Sequence, residues 1–255
     1  MPACVTASCA SHRTTTMSSP ASGINPDDSG RVRYQATLPV AGLVYRATSA
    51  LHVYATAGRG FETPTFNELS YRPDGATGLN FALKPAKSDS VEAGIKARML
   101  APSGSWLRVN AAIFSTNTHD EIATLSNIGG RSTFINAGRT QRRGAELSLQ
   151  WSFAGDWRLQ GAHTLLDARY RDGFETCNAT PCVKPTVAIP SGNRIPGVAG
   201  NSAYAKLAYA PERGWRAGLE ARHTGKVLVD DANSDAASRY AVLNARIGHL
   251  WRSAR

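Results

Sequence analysis

Apolar and polar residues alternate with a period of two along the segment 143–171. In its first run every second residue is apolar from Ala145 to Phe153, and the residues between them are mostly polar. After space for only a tight turn, a second run begins at Trp157 and continues to Leu165. Successive side chains of a strand point to opposite faces, so the pattern predicts a hairpin of two long strands with one apolar face. Ordinary strands have about 5–6 residues, whereas membrane-spanning strands need roughly 9–11.

The same alternation recurs between Arg31 and Trp251 and predicts about nine strands. Their connections are long and short in turn, without exception. Short periplasmic turns, long loops at the other end and aromatic girdles are typical of outer-membrane barrels. The fold class we predict is therefore all-β, a partial transmembrane antiparallel β-barrel. The alternative is a soluble β-sandwich or repeat sheet, whose strands are usually shorter. The predicted girdle consists of Trp106, Trp151, Phe153, Trp157, Tyr209, Trp215 and Trp251.

The first 30 residues do not show this alternation. They are rich in Ser, Thr, Ala and Pro, and no basic start is followed by an apolar core, so we do not interpret them as a signal peptide. We expect 1–30 to be disordered or foreign to the fold, and 31–255 to form the partial barrel. A free-standing sheet of nine strands would expose two edges and its whole apolar face, so we expect the chain to be one part of a larger barrel.

The formal net charge of +10 suits a nucleic acid, an anionic ligand or lipid phosphate as partner. The cations are scattered along the predicted strands, whereas nucleic-acid-binding domains cluster them on one face or helix, so we expect no nucleic-acid partner. Cys4/Cys9 and Cys177/Cys182 both lack the spacing of zinc ligands. For Cys177 and Cys182 two alternatives stay open: a small disulfide in an oxidising compartment, or two unrelated thiols.

Catalytic motifs are missing from the sequence. It contains no nucleophile elbow, no phosphate-binding glycine loop and no zinc-protease helix. His119, Asp120 and Glu121 are adjacent at a predicted strand end, and adjacent strand residues cannot converge on one atom. We therefore expect no enzymatic activity, no metal site and no cofactor.

Four longer stretches of the sequence carry a further signal. They are YATAGRGFETPTFNELSYRPDG, LNFALKPAKSDSVEAGIK, FINAGRTQRRGAELSLQW and IPSGNRIPGVAGNSAYAKLAY. In this order they resemble the C-terminal half of the TonB-dependent outer-membrane receptors. The resemblance covers the chain from about Asp27 to Trp251, and the combination is more specific than any single motif.

This resemblance implies a barrel of about 22 strands closed by an N-terminal plug. It also implies active uptake of a scarce anionic ligand across the outer membrane of a Gram-negative cell. The ligand would be a ferric siderophore or a redox cofactor such as pyrroloquinoline quinone. The TonB–ExbB–ExbD complex would supply the energy through the plug. The alternative is a passive porin-like or structural outer-membrane β-protein.

The sequence departs from the family pattern at both ends. We expect it to lack the signal peptide, the TonB box, the plug domain, the first half of the barrel and the last strands. We therefore interpret the chain as a fragment of a longer receptor, with residues 1–22 read in a shifted frame. On this interpretation, coupling to TonB would require the plug that the chain lacks.

Candidate site residues follow from the alternation and from the loops. Cations predicted to face the lumen are Arg33, Lys96, Arg98, Arg216, Arg222 and Lys226. Pairing with other lumen residues and with a plug is the alternative to ligand attraction by a basic lumen. Aromatic and polar residues in the long loops are candidate ligand contacts, although turn formation and solvation explain them equally well: Phe61, Phe66, Tyr71, Arg72, Asn80, Arg131, Asn136 and Arg194.

Outer-membrane lipid and lipopolysaccharide are further expected partners. Arg139, Arg142 and Arg143 lie where a predicted strand re-enters from a long loop. At that height their guanidinium groups could bind the phosphates of lipopolysaccharide as well as a transported ligand.

Overall fold

The computed structural model describes residues 3–17, 29–76, 78–128, 131–153, 155–177 and 185–251. Ten long strands form one antiparallel sheet. These are β1 (Ala3–Met17), β2 (Gly30–Arg46), β3 (Leu51–Glu62), β4 (Ala86–Leu100), β5 (Trp106–His119), β8 (Thr140–Phe153), β9 (Trp157–Tyr170), β12 (Asn201–Tyr209), β13 (Gly214–Thr224) and β16 (Tyr240–Leu250). The intervening elements, all shorter, are α1 (Phe66–Leu69), β6 (Ile122–Ile128), β7 (Arg131–Asn136), β10 (Phe174–Thr176), β11 (Val187–Ile189), β14 (Val227–Leu228) and β15 (Ala236–Ala237).

Each long strand pairs with the next long strand along the chain, and the ten strands pair without a register shift. Four short turns lie at one end of the sheet, here called the turn end: 47–50, 101–105, 154–156 and 210–213. From β3 onward, four long loops lie at the other end, here called the loop end: loop 1 (63–85), loop 2 (120–139), loop 3 (171–200) and loop 4 (225–239). The predicted alternation of long and short connections is confirmed.

The sheet has one apolar face, which carries Val91, Ile113, Leu147 and Leu165. Exposure on this face is high for large hydrophobic side chains, for example 81% at Leu243. A soluble protein rarely exposes so continuous an apolar surface to water, so the face is suited to lipid. Within the described ranges, no helix reaches the length and apolarity that a membrane crossing requires. The predicted fold class is confirmed: an all-β, partial antiparallel barrel.

Aromatic rings follow the turn end on the apolar face. The ring centroids of Trp151 and Phe153 are 4.3 Å apart, and those of Trp157 and Tyr209 are 5.2 Å apart. Trp106 was predicted to belong to this girdle, but that prediction was wrong. It pairs with Ser152 on the polar face, where the Arg108 guanidinium lies 5.9 Å from its ring centroid. A position near a turn had suggested the girdle, whereas strand register decides which face a side chain joins.

The first strand departs from the prediction of disorder over 1–30. Ala3–Met17 pairs along its whole length with the segment from Gly30 to Val44 of β2. A threonine-rich segment has β propensity, and backbone pairing needs no alternation of side chains. Residues 1–2 and 18–28 of that predicted segment lie outside the described residues.

The structure of β2 also corrects the predicted face of one lumen candidate, Arg33. Tyr34 is buried, and its hydroxyl donates to the Leu83 carbonyl of loop 1 at 3.1 Å, on the polar side of the sheet. Arg33 is its neighbour in the strand and therefore points to the opposite face. The apolar residues near Tyr34 had suggested a lipid-facing row, but the Tyr34 side chain lies beneath loop 1 instead.

The face assignment predicts an asymmetric effect of charge. In the receptor that contains this chain, Leu147→Arg should destabilise the barrel by about 2–4 kcal/mol, because it places a cation in the middle of the apolar face. Ser148→Arg is the matched control on the polar face of the same strand and should cost far less. Denaturant titration in lipid vesicles measures both free energies of unfolding. Equal costs would contradict the assignment of the two faces.

Candidate ligand-binding site in the outer loops

The long loops form an ordered layer over the loop end of the sheet. Ala137, Tyr170 and Ile189 are almost fully buried there, and Phe174 and Ile195 pack against them. This small apolar cluster joins loop 2, the end of β9 and loop 3. Burial of these apolar side chains stabilises the arrangement of loop 2 and loop 3 relative to each other.

Polar contacts connect loop 4 to the same layer. The Tyr170 hydroxyl donates to an Asp231 carboxylate oxygen at 2.7 Å, and Asn193 Nδ2 donates to the Asp231 carbonyl at 2.8 Å. The Asn233 side chain accepts from the Arg194 backbone N–H and donates to its carbonyl, both at 2.8 Å. Asn233 has φ of 59°, a left-handed conformation that asparagine tolerates better than most residues.

A half-buried ion pair lies beneath this layer on the polar face. The Arg142 guanidinium donates to both carboxylate oxygens of Glu121, at 2.8 and 3.0 Å. The Thr140 hydroxyl adds a third bond to Glu121 at 2.8 Å. Burial opposes ionisation of Glu121, but the bonds and charge of Arg142 outweigh it and hold the pKa of this carboxyl below its ordinary value.

Loop 1 is attached to loop 2 through two asparagines. The Asn136 amide accepts from the Lys84 N–H at 2.9 Å and donates to the carbonyls of Lys84 and Asp120 at 3.0 and 2.9 Å. Both amide hydrogens of Asn136 are thereby used. Asn80 is buried and donates to the Phe134 carbonyl at 3.2 Å. These contacts support the structural alternative for both asparagines, which were predicted as ligand contacts.

The outer surface of the layer carries an exposed aromatic and cationic pair. The Arg131 guanidinium lies 5.3 Å from the Tyr71 ring centroid, and both side chains are exposed. Thr65 caps α1 by accepting from the Glu68 N–H, and α1 contacts β7, the strand that begins with Arg131. Phe66, the first residue of α1, is also exposed. A guanidinium beside exposed aromatic rings provides stacking area and bidentate donors for an anion.

The sequence as a whole matches one family model over residues 11–252, described as "TonB dependent receptor-like, beta-barrel". The chain belongs to this family. It is 26% identical over 231 residues to the probable TonB-dependent siderophore receptor PiuA of Acinetobacter baumannii, covering 85% of this chain and 28% of that protein. It is also 26% identical over 213 residues to the metal-pseudopaline receptor CntO of Pseudomonas aeruginosa, covering 82% and 26%.

Solved structures of family members show the same fold. The siderophore receptor PiuA from Acinetobacter baumannii superimposes with a TM-score of 0.70 at 19% identity, over 90% of this chain and 32% of that one. The ferric yersiniabactin uptake receptor FyuA from Yersinia pestis gives 0.62 at 21% identity, over 88% and 31%. The chain thus spans less than a third of the length of these TonB-dependent receptors, which are proteins of the outer membrane.

The structure separates the predicted loop contacts of this family member into different environments. Tyr71 and Arg131 are brought together. Arg72 follows Tyr71 in the sequence. Its guanidinium pairs with Asp74 at 2.6 Å and lowers the pKa of that carboxyl to about 2. Arg194 donates through Nη2 to the Leu166 carbonyl at 3.3 Å and is tied to loop 4. Phe61 pairs with Lys87 on the apolar face, so its register opposes contact with a ligand in the barrel interior.

Four of the predicted lumen cations lie on the polar face of their strands: Lys96, Arg98, Arg216 and Arg222. Lys96 Nζ is 4.9 Å from the Tyr54 ring centroid, and Arg222 Nε donates to Glu220 at 2.9 Å. Arg98 pairs in register with Arg108, and Arg216 Nε donates to the Pro211 carbonyl at 2.9 Å near the turn end. These four cations are spread along the sheet and are not part of the exposed Tyr71–Arg131 pair. All of them except Arg98 already contact another group of the protein.

The remaining candidates concern loop 3 and loop 2. Cys177 is disulfide-bonded, which argues against a free thiol there, whereas Cys182 lies outside the described residues. His119 shares the apolar face with Lys87, while Glu121 bonds to Arg142 on the polar side, so these neighbours do not converge. Sequence reasoning missed both the Glu121–Arg142 pair and the Tyr170–Asp231 contact. The alternation along the strand predicts which face Arg142 joins, but no local pattern identifies Glu121 in loop 2 as its partner.

The ion pair beneath the loops predicts a local loss of stability. Arg142→Gln should destabilise the loop layer by about 1–3 kcal/mol, because it leaves a half-buried carboxylate without its cation. Hydrogen exchange of backbone amides in loop 2 measures the effect. Arg139→Gln is the control: its exposed pair with Asp172 is screened by solvent, so protection should change little. Equal losses in the two variants would contradict the role of the buried pair.

The same pair gives a pH dependence with a defined sign. The folded-state pKa of Glu121 lies below the ordinary value of 4.5, so its stabilisation is present above that value. It is lost as the pH falls through the lower, folded-state pKa. Protection of loop 2 should therefore decrease on acidification in the wild type, and this component should be absent from Arg142→Gln. An unchanged pH profile in the variant would refute the assignment.

Proposed function

We propose that this chain forms part of an outer-membrane receptor that takes up a scarce anionic ligand by TonB-dependent transport. The observation that carries the proposal is the exposed Tyr71–Arg131 pair, held on an ordered loop layer above a lipid-suited sheet of this receptor family. Loops that protrude from the outer end of a barrel meet ligands from outside the cell first. The energised step would act through a plug, which in this proposal belongs to the whole receptor.

The ligand class follows from the relatives and from the chemistry of the pair. PiuA is named as a siderophore receptor and CntO as a receptor for metal-pseudopaline, so a metal chelate is the ligand class we propose. The guanidinium of Arg131 favours an anionic chelate, and Tyr71 adds an aromatic surface. Pyrroloquinoline quinone is the second ligand to compare, because it is also anionic and planar. The names of these relatives do not favour the passive porin-like alternative.

Other predicted residues would have supporting roles. Phe66 and Arg72 flank the Tyr71–Arg131 pair and would widen the contact surface. The cations Lys96, Arg98, Arg216 and Arg222 would keep the lumen attractive to an anion after it leaves the loops. A Cys177–Cys182 disulfide would limit the motion of loop 3 beside the site. The apolar face would contact membrane lipid and lipopolysaccharide.

Ligand binding by the receptor that contains this chain tests the proposal. Arg131→Gln should weaken binding of the cognate ferric siderophore about tenfold or more, because charge-assisted hydrogen bonds contribute about 1.5–3 kcal/mol. Isothermal titration with a panel of ferric siderophores and pyrroloquinoline quinone measures the affinity. Arg213→Gln, in the turn 210–213 at the opposite end, is the control of equal charge change.

Three results are decisive. Tight binding of a ferric siderophore that is lost in Arg131→Gln and kept in Arg213→Gln supports the proposal. Tight binding of pyrroloquinoline quinone alone supports uptake but replaces the ligand class. Absence of tight binding to either class in the wild type would overturn the proposed function.

A further inference from the structure

The apolar face ends in a basic cluster at the loop end. Along β8 and β9, the register Ala145–Leu165 belongs to the apolar belt, and the next pair on the same face is Arg143–Asp167. One step further out, Gln141 pairs with Arg169. These charged residues therefore face outward, away from the lumen, just beyond the edge of the apolar surface.

The cluster contains more cations than carboxylates. Arg143 Nη2 lies 3.2 Å and Arg169 Nε 2.8 Å from the two oxygens of Asp167, which is the only carboxylate among them. Arg171 bonds to the Gln141 amide oxygen and so joins the same group. Three guanidinium groups against one carboxylate leave an excess of two positive charges. The Arg143 side chain is 59% exposed, so part of its donor set is open to an incoming anion.

A shallow apolar depression lies directly below this cluster on the same face. Its volume is about 450 Å³. Small side chains form its floor at Ala111 and Ala145, between the larger side chains of Ile113, Leu147 and Leu165. An open groove of this kind accepts an extended hydrocarbon chain by simple burial of apolar area. The basic cluster stands at the end of the groove where a lipid headgroup would lie.

We propose that the cluster and the depression together bind lipid A of lipopolysaccharide, on the outer wall of the barrel. The phosphates contact Arg143, Arg169 and Arg171, and an acyl chain lies in the depression. Guanidinium groups bind phosphate oxygens in bidentate geometry, and the excess charge matches a headgroup with more than one phosphate. The loop end faces the outside, so the lipid of the outer leaflet is the one within reach. The inference rests on the proposed outer-membrane function.

The geometry also distinguishes neighbouring arginines that the sequence could not separate. Arg142 turns inward to Glu121, and Arg139 pairs with Asp172, so neither adds to the excess charge of the cluster. Arg59 lies on the apolar face as well, but it has a carboxylate of its own in Asp89 at 2.8 Å. Phosphate binding is therefore expected at Arg143 and its neighbours rather than at every outward arginine.

The test uses the detergent-solubilised receptor that contains this chain, with lipid binding followed by native mass spectrometry. The probes are bis-phosphorylated lipid A, lipid A without its phosphates, and phosphatidylglycerol. The double variant Arg143→Gln/Arg171→Gln should bind bis-phosphorylated lipid A about thirtyfold more weakly, because each lost arginine weakens binding roughly fivefold and the two factors multiply. Ala145→Phe, which fills the depression without a change of charge, should also weaken binding. Arg59→Gln is the matched control and should change affinity less than about twofold.

Each outcome decides the inference. Preference of the wild type for bis-phosphorylated lipid A, lost in the double variant and kept in Arg59→Gln, supports it. Equal binding of phosphatidylglycerol, or wild-type affinity in the double variant, overturns it. A loss in Arg59→Gln as large as in the double variant also overturns it, because the charge would then act without a defined site. Circular dichroism and unchanged ferric siderophore binding show that the variants are folded.

The same measurements keep the two proposals apart. If lipid A binding fails while siderophore binding is intact, only the lipid site is refuted. If the wild type binds lipid A and no metal chelate or quinone, the proposed transport function fails and the lipid site stands.

Discussion

Backbone hydrogen bonding in an apolar medium is the constraint on which this structure depends. A strand inside a bilayer has no water to bind its N–H and C=O groups, so every such group must find a neighbouring strand. The eight inner long strands meet this requirement with an unshifted antiparallel register, while β1 and β16 form the edges of the sheet. Because side chains alternate with a period of two, a slip of one residue would move each apolar side chain to the wrong face. Register and hydrophobic pattern thus stabilise the same arrangement.

The two ends of the sheet follow from this constraint in different ways. At the turn end, short connections leave little chain outside the sheet, and aromatic rings such as Trp151 and Tyr209 cover the edge of the apolar face. At the loop end, the connections are long enough to pack on each other around Tyr170 and Ile189. Hydrogen bonds from Asn80 and Asn136 then join loop 1 to loop 2, the two loops that carry the exposed pair.

Alternation also assigns different roles to adjacent cations. Arg142 and Arg143 are neighbours in sequence, yet one pairs with Glu121 under the loops and the other with Asp167 on the lipid side. The first stabilises the loop layer and the second belongs to the basic cluster at the membrane edge. In our two proposals a net positive charge therefore has two uses in this chain. Inside the barrel it can attract an anion for uptake, and outside it can anchor the phosphates of the surrounding lipid.

The sequence by itself determined the nine long strands from β2 onward, the alternation of their connections and the apolar belt, because these depend on a local period of two. Only the tertiary structure decided which face Arg33, Phe61 and Trp106 join, since local composition near a strand end does not define register. The pairing of Ala3–Met17 was likewise hidden, because an added strand needs a backbone partner and no side-chain pattern. The loop contacts of Glu121 and Asp231 join residues distant in the chain, and no local signal records such distances.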